Sequence, residues 1–362
     1  MYSKGEKAII FIDGFINLEY KHKRAIIDLY DDISTFFDYP ELALDFLKDN
    51  LGENACNIFK LSLNEKFINE LFSKYQTRGI TIVTEISKNY PDRLRYLDFK
   101  PICLYCKGDI SLLNSENTFA IVGSRKTENA ILSIVKDFAI SLVSNGVTIV
   151  TGIASGADLY AIKGSVDSGK IISVMASGYD YWQLDPNRDY VKKIMENGLV
   201  VSEYSPEVAP RPYFYPVRNR IIAGLCDGVL IASGDNKSGS RHTANYALDY
   251  GKEVFAFPYG LNSFSGALCN SLIKDGARLT ETYEDISEVM GYAKQEDIKI
   301  ELSENEISVY DCICNGCSLV DDIMIKTDLK IFELMPIITT LEIKGLIVSS
   351  GGNEYVKTTK KI

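Results

Sequence analysis

Four short loops carry the residues of this sequence that are best suited to chemistry, because each is rich in glycine, serine or cationic side chains. They occupy residues 123–126, 151–158, 176–178 and 233–241. Glycine lets a ligand approach the backbone closely, hydroxyl and free N–H groups suit phosphate oxygens, and an arginine can hold an anion through two hydrogen bonds. One such loop alone is more often only a turn, but four together predict an anion-binding cradle.

The segment from Arg211 to Arg220 combines three arginines with three aromatic residues and contains no acidic residue. Arginines contact backbone phosphates, and aromatic faces stack with bases for about 1–3 kcal/mol per base. The segment therefore favours binding of a single-stranded nucleic acid. The alternative is an ordered loop whose aromatic rings pack on a sheet while its arginines pair with Glu203, Glu207 or Asp227.

Several reaction classes are disfavoured because the sequence lacks their characteristic residues. None of the loops matches the Walker A pattern or the G-x-G-x-x-G fingerprint, which disfavours a nucleoside triphosphatase or a conventional dehydrogenase. His22 and His242 are the only histidines, so a histidine-rich metal site is not expected. Two cysteine clusters, at residues 103–106 and 312–317, have spacings that zinc sites use, but they lie in different predicted domains. We therefore expect no metal and no cofactor.

The charge balance limits how a nucleic acid could be bound. The 362 residues include 39 Lys+Arg against 49 Asp+Glu, a formal net charge of −10. Bulk positive charge therefore cannot hold the protein on nucleic acid or on an anionic membrane. No apolar run approaches the ~20 residues that a membrane helix needs, and the eight cysteines suit a reducing compartment. We expect a cytoplasmic protein that binds through a few placed arginines.

The central region has the pattern of a doubly wound parallel sheet, which would position these loops. Short Val- and Ile-rich runs alternate with helical stretches, and the runs begin near residues 119, 146, 170, 198, 227 and 253. Such alternation is typical of a mostly parallel α/β sheet with helices on both faces. Ligands of these folds bind at loops beyond the carboxyl ends of the strands, where the four loops fall.

The two ends of the chain differ from this centre. Residues 1–65 have acidic, helix-like patterning. The composition of residues 293–302 predicts a charged linker. Residues 303–362 have three helical patterns followed by a predicted terminal hairpin. That order predicts a winged helix.

The motifs occur in the order found in the DNA-processing protein A family (DprA, also called Smf), which this chain resembles over about residues 68–290. The most specific block is R-N-R-I-I-A-G-L at residues 218–225. The resemblance implies an extended Rossmann-like domain at 66–292, a helical sterile-alpha-motif-like domain at 1–65 and a winged helix at 303–362. The other motifs of the resemblance lie at residues 123–125, 151–158, 198–204, 238–240 and 266–277.

The resemblance also implies a function. Members of the family bind single-stranded DNA, usually as a homodimer, protect incoming strands and hand them to the recombinase RecA during natural transformation. We accordingly expect a recombination mediator that acts in natural competence. We expect it not to be an enzyme, to have no catalytic residue and not to bind membranes.

The predicted DNA-binding residues come from three sources. Matching motifs imply Arg125, Arg218, Asn219, Arg220, Ser238, Gly239 and Ser240. Loop chemistry adds Gly123, Ser124, Gly152, Ser155 and Gly156, and the arginine- and aromatic-rich segment adds Arg211. Lys163 and Lys237 are included for their place near these loops. The chain departs from the family at Ile162, where histidine is usual, and at Arg241 and His242, where apolar residues are commoner.

Two other functions stay open. A nucleotide-binding sensor or nucleoside-monophosphate-processing enzyme could use a related Rossmann-like fold, although the Pro-Gly-Gly-x-Gly-Thr-x-x-Glu signature of such hydrolases is missing. A transcriptional regulator could read duplex DNA through the C-terminal region. That region is acidic overall, which favours a protein-contact or auxiliary role.

Overall fold

The computed structural model describes residues 2–235, 237–261, 263–292 and 302–358. The chain divides into two compact units, residues 1–293 and 294–362. The charged linker predicted at 293–302 lies outside the described residues except for Leu302. The helical segment predicted at 1–65 and the α/β region that follows it both belong to the first unit, and the predicted domain boundary between them stays a prediction.

The centre of the first unit is one nine-stranded sheet. Its strands are β1 (Thr81–Thr84), β2 (Cys103–Gly108), β3 (Thr118–Val122), β4 (Thr148–Thr151), β5 (Ile171–Val174), β6 (Leu199–Ser202), β7 (Gly228–Ile231), β8 (Glu253–Ala256) and β9 (Arg278–Leu279). Their order in the sheet is β1-β2-β6-β5-β4-β3-β7-β8-β9. The pairs β1–β2 and β2–β6 are antiparallel, and all the other pairs are parallel. The predicted mostly parallel, Rossmann-like α/β fold is confirmed.

Both faces of the sheet are covered, as β3 illustrates. Its side chains alternate between the two faces, so that Ala120 and Val122 join one apolar core while Phe119 and Ile121 join another. All four are nearly or fully buried. A strand buried on both faces must be apolar throughout, and this requirement explains the continuous runs from which the strands were predicted.

Helices connect the strands and cover the faces. They are α6 (Asp92–Arg95), α7 (Asn129–Ser144), α8 (Ala157–Ser165), α9 (Arg188–Asn197), α10 (Phe214–Leu225), α11 (Ser240–Asp249), α12 (Ala267–Lys274) and α13 (Tyr283–Met290). Helices α7, α8, α11 and α12 each follow a parallel strand after a short loop. These loops therefore emerge together at the carboxyl edge of the sheet.

The N-terminal helices share their apolar core with the sheet. They are α1 (Lys4–Asp13), α2 (Tyr20–Asp28), α3 (Glu41–Leu51), α4 (Glu53–Ser62) and α5 (Glu65–Thr77). Phe11 of α1 and Tyr105 of β2 are fully buried in one cluster, and the Tyr105 hydroxyl donates to Asp13 Oδ2 over 2.8 Å. The helical N-terminus is confirmed, and one further helix, α5, begins at the predicted boundary and ends at Thr77.

The second unit has a separate core. It consists of α14 (Glu304–Cys314), α15 (Val320–Thr327), α16 (Ile331–Ile343) and a hairpin of β10 (Ile347–Gly351) and β11 (Glu354–Lys357). Val309, Ile323, Leu334 and Ile338 are fully buried within it. Three helices followed by a hairpin are the order predicted for a winged helix. In neither unit does any described helix have the length and apolarity needed to cross a membrane.

Candidate nucleic-acid interface

A cleft of about 420 Å³ lies at the carboxyl edge of the sheet, where the loops after β3, β4, β7 and β8 meet the first turns of α10. Neighbouring parallel strands end at the same edge, which is why loops distant in sequence come together here. Nine of the predicted site residues line the cleft. They are Gly123, Ser124, Arg125, Arg218, Asn219, Lys237, Ser238, Gly239 and Ser240.

Hydrogen bonds between hydroxyls and backbone groups hold the loops of the cleft in place. Ser233 Oγ, after β7, accepts from the backbone N–H of Ser124 over 2.9 Å and contacts Thr127 Oγ1 at 2.5 Å. Asn219 Nδ2 donates to the carbonyl of Gly239 over 3.3 Å, which links α10 to the start of α11. A Cβ added at Gly123 would lie 2.7 Å from Ala157 Cβ and 2.8 Å from Ser233 Oγ. Glycine is needed there because the loops pack in close contact.

Three cations of the cleft form no salt bridge with a carboxylate of the described residues. Among the residues that the structure describes, Arg125, Lys126 and Lys237 form no ion pair. The Arg125 guanidinium lies over the ring of Tyr215, 5.5 Å from its centre. These charges are available to an anionic ligand, and Tyr215 and Phe264 add rings that are 39% and 75% exposed.

A buried carboxyl group, that of Asp158, and a buried guanidinium group, that of Arg218, lie close to each other at the floor of the cleft. Asp158 accepts hydrogen bonds from the backbone N–H groups of Gly123 and Ala154, and Arg218 donates to the carbonyl of Val174. A Cβ added at Gly152 would lie 2.4 Å from Asp158 Oδ2 and 2.7 Å from Arg218 Nη2. Gly152 therefore lies directly against the floor and leaves room for both side chains.

Burial dominates the electrostatics of this floor. It raises the pKa of Asp158 to about 6, against the opposing effect of the nearby Arg218 guanidinium. It also lowers the pKa of Arg218, although an arginine keeps its charge at any ordinary pH. The Asp158 carboxyl can thus change its charge just beneath the place where an anion would bind.

Arg220 and Arg211 do not line the cleft. Arg220 is buried and forms an ion pair with Glu203, which is also largely buried. Arg211 donates to the Tyr213 hydroxyl over 2.9 Å at the exposed start of the segment. The ion pair of Arg220 agrees with the alternative interpretation of this segment, in which its arginines pair with carboxylates of the protein.

The remaining predicted residues also lie outside the cleft lining. Gly156 has φ +88°, and a Cβ there would lie 2.2 Å from the carbonyl oxygen of Ser124, so it brings two loops into contact. Its neighbour Ser155 is not among the lining residues. Lys163 Nζ lies 4.1 Å from the ring centre of Tyr160. Ile162 is fully buried in the core.

The cleft contains residues that the site prediction left out. Lys126, Asp158, Tyr215, Thr243 and Phe264 all line it, and Thr243 Oγ1 is buried without a hydrogen-bond partner. Tyr215 and Asp158 lie within segments that the sequence had singled out, and Lys126 ends the first loop. No sequence motif marks Phe264 or Thr243. Phe264 reaches the cleft through the folding of the β8–α12 loop, and Thr243 reaches it because of the side of α11 on which it lies.

The cleft is suited to binding an anion together with planar rings, and the described residues contain no cluster of three or more ligating side chains that could hold a metal ion. The cysteines at positions 103 and 106 are buried free thiols. The residues that line the cleft offer ion pairing, hydrogen bonding through hydroxyls, and stacking.

Comparisons with known proteins agree on one family. The model of DNA recombination-mediator protein A matches residues 81–291. The chain is 34% identical over 220 residues to the DNA processing protein DprA of Bacillus subtilis, which covers 60% of this chain and 74% of that protein. It is 28% identical over 333 residues to the protein Smf of Borreliella burgdorferi, with 89% and 98% covered.

Solved structures give the same match. The crystal structure of DprA from Streptococcus pneumoniae aligns with a TM-score of 0.65 at 25% identity, over 81% of this chain and 99% of that one. DNA processing protein A of Helicobacter pylori, whose single-stranded DNA binding mode has been described structurally, aligns with a TM-score of 0.54 at 29% identity. That alignment covers 59% of this chain and 97% of the other.

Proposed function

The chain belongs to the DNA recombination-mediator protein A family, and we propose that it binds single-stranded DNA in the cleft at the carboxyl edge of its sheet. The observation that carries this proposal is the presence of Arg125, Lys126 and Lys237, unpaired within the described chain, beside the exposed rings of Tyr215 and Phe264. Phosphates pair with the cations while bases stack on the rings. The binding of single-stranded DNA by the Helicobacter pylori relative supports the same function.

The proposal extends to the role of the protein in recombination. As a cytoplasmic homodimer, the protein protects incoming single strands and loads RecA onto them during natural transformation. Family membership supports this role. Its test is RecA filament formation on strands coated with single-strand-binding protein, followed by DNA-dependent ATP hydrolysis. Addition of the protein shortens the lag, and an unchanged lag contradicts the loading role.

The protein acts without catalysis in this proposal. Asp158 is the buried carboxylate of the cleft, and it already accepts two backbone N–H groups beside Arg218. Its oxygens are therefore engaged in holding the floor of the cleft. Incubation with nucleoside monophosphates should release no free base. Release that disappears in Asp158→Asn would instead favour a nucleoside-monophosphate-processing enzyme.

Direct binding measurements test the central claim. Labelled oligothymidylate and a duplex of equal length are titrated with the full chain, and fluorescence anisotropy is recorded over a series of salt concentrations. We expect tighter binding of the single strand than of the duplex. The logarithm of the affinity should fall linearly with the logarithm of the salt concentration, because phosphate contacts release counterions. Salt-independent binding contradicts the proposal. Equal competition by thymidine monophosphate and oligothymidylate favours a nucleotide sensor.

A further inference from the structure

The second unit contains a pair of thiols, Cys312 and Cys317, that the proposed function does not use. The end of α14 brings them together. The backbone N–H of Cys317 donates to the carbonyl of Cys312, and that of Gly316 donates to the carbonyl of Ile313, both over 3.1 Å. Gly316 has φ +93°. This pair of bonds is the Schellman pattern, which places the side chains of its first and last residues in contact.

The two thiols share one core, and one of them contacts a lysine. Cys312 and Cys317 both belong to the apolar cluster of the second unit, and Lys326 Nζ of α15 lies 2.9 Å from Cys317 Sγ. The ammonium group and the Cys312 thiol lower the pKa of Cys317, whereas burial raises the pKa of Cys312 to about 11. Since the thiolate is the nucleophile, the pair consists of an activated thiol and a resolving thiol.

Four buried cysteines of the first unit are in a different environment. Burial raises the pKa of Cys226 and of Cys269 to about 12, and it also raises the pKa of Cys103 and Cys106. Cys317 is also largely buried, with 5% of its surface exposed, but it is followed by the partly exposed Ser318, and its lysine partner is exposed. Cys317 therefore lies just beneath the surface with a cation beside its sulfur, whereas burial keeps the four thiols of the first unit protonated.

We propose that Cys317 and Cys312 are a site of reversible disulfide formation, for which a small-molecule disulfide such as oxidised glutathione is the oxidant. The Cys317 thiolate attacks one sulfur of that disulfide, forms a mixed disulfide and releases one glutathione thiolate. Cys312 then loses its proton and attacks Cys317 Sγ, which releases the second glutathione. Two protein thiols are oxidised, one disulfide is reduced to two thiols, and excess thiol reverses the exchange.

Peptide mapping of the full-length protein tests this site. The protein is incubated with oxidised glutathione, its remaining thiols are blocked with N-ethylmaleimide, and trypsin is added without reductant. Cleavage after Lys299 and Lys326 gives one peptide that contains Cys312, Cys314 and Cys317. We expect this peptide to be lighter by two hydrogen atoms than its reduced form and to carry one maleimide, on Cys314. Three maleimides, or a disulfide through Cys314, would overturn the proposal.

Variants separate the roles of the residues. Cys314→Ser is the matched control and leaves disulfide formation unchanged. Cys312→Ser stops at the mixed disulfide, with glutathione held on Cys317, and Lys326→Met slows the first step by about fivefold because the thiolate loses its cation. Circular dichroism confirms that each variant is folded. A Cys312→Ser protein that carries no glutathione on Cys317, or an unchanged rate in Lys326→Met, contradicts the assigned roles.

Discussion

Arg218 and Arg220 are separated by one residue on α10, yet they occupy two different regions of the molecule. Arg218 lines the cleft at the carboxyl edge of the sheet, near Asp158 but without a direct ion pair to it. Arg220 points into the interior and pairs with Glu203. The comparison shows that neighbouring arginines of one segment can differ in whether a carboxylate of the protein pairs with them. Whether a carboxylate of the protein already neutralises each guanidinium decides which charge a ligand can use.

The same difference explains how an acidic protein can present a site for an anion. The net charge of −10 describes the whole chain. In the cleft, however, Arg125, Lys126 and Lys237 have no ion-pair partner among the described residues. Local pairing therefore determines which cations an anionic ligand could use, and a cation already paired with a carboxylate is less available to it.

The largest expected effect comes from breaking the interior pair. Arg220→Ala leaves the Glu203 carboxylate buried without its partner, which should lower the free energy of unfolding by about 3–5 kcal/mol. Urea unfolding measures the change. The double variant Arg220→Ala/Glu203→Ala should recover part of the loss, because no unpaired charge then stays buried. A stable Arg220→Ala protein that has lost its affinity for oligothymidylate would instead assign Arg220 to the interface.

Removal of a cleft cation should weaken DNA binding and leave stability nearly unchanged, which is the opposite of the effect expected for Arg220→Ala. Arg125→Ala is expected to weaken oligothymidylate binding about 10- to 100-fold, the equivalent of one or two charge-assisted hydrogen bonds. The slope of log affinity against log salt should fall by about one, and the unfolding free energy should change by less than about 0.5 kcal/mol. Lys170→Ala, at the amino end of β5, removes one positive charge from the opposite edge and should leave binding unchanged. An equal loss in both variants would point to bulk charge.

The ring of Tyr215 should contribute less than the cation above it. Tyr215→Ala is expected to weaken binding about fivefold, near the lower end of measured stacking energies, since the ring is partly covered by Arg125. Tyr215→Phe keeps the stacking face and should bind as the parent protein does. Anisotropy with oligothymidylate measures both variants. A loss in Tyr215→Phe equal to that in Tyr215→Ala would show that the hydroxyl, not the ring, is recognised.

The smallest expected effect is a pH dependence from the floor of the cleft. The pKa of Asp158 is raised from 3.8 to about 6 by burial, so the folded chain holds this proton more tightly than the unfolded chain. Its contribution to stability is present below pH 3.8 and is lost as pH rises through about 6. Protonation also removes a negative charge beneath the bound phosphate. Oligothymidylate affinity should therefore rise about threefold between pH 7.5 and pH 5.

The control for this pH dependence is Asp158→Asn, whose affinity should change less with pH over the same range. Both proteins carry His242→Gln, which removes the imidazole next to the lining residue Thr243. Identical pH profiles with and without the Asp158 carboxyl would contradict its role.

Much of the fold could be predicted because strands buried on both faces must be continuously apolar. The strands β3 to β8 were recognisable from their Val and Ile runs, and their loops could be assigned to one edge from parallel pairing alone. The antiparallel pairing of β2 with β6 was not predictable, since it joins segments almost a hundred residues apart. Residues such as Phe264 were missed because the β8–α12 loop brings them to the cleft from outside every recognised motif.

The sequence by itself determined the class of sheet, the edge at which the cleft lies and nine of the residues that line it. These properties follow from local patterns, namely apolar runs, glycine- and serine-rich loops and an arginine-rich segment. Only the tertiary structure decided which arginine of α10 faces the cleft and which is neutralised by Glu203. Ion pairing depends on distances of a few ångströms between residues of different elements, and no local pattern specifies those distances.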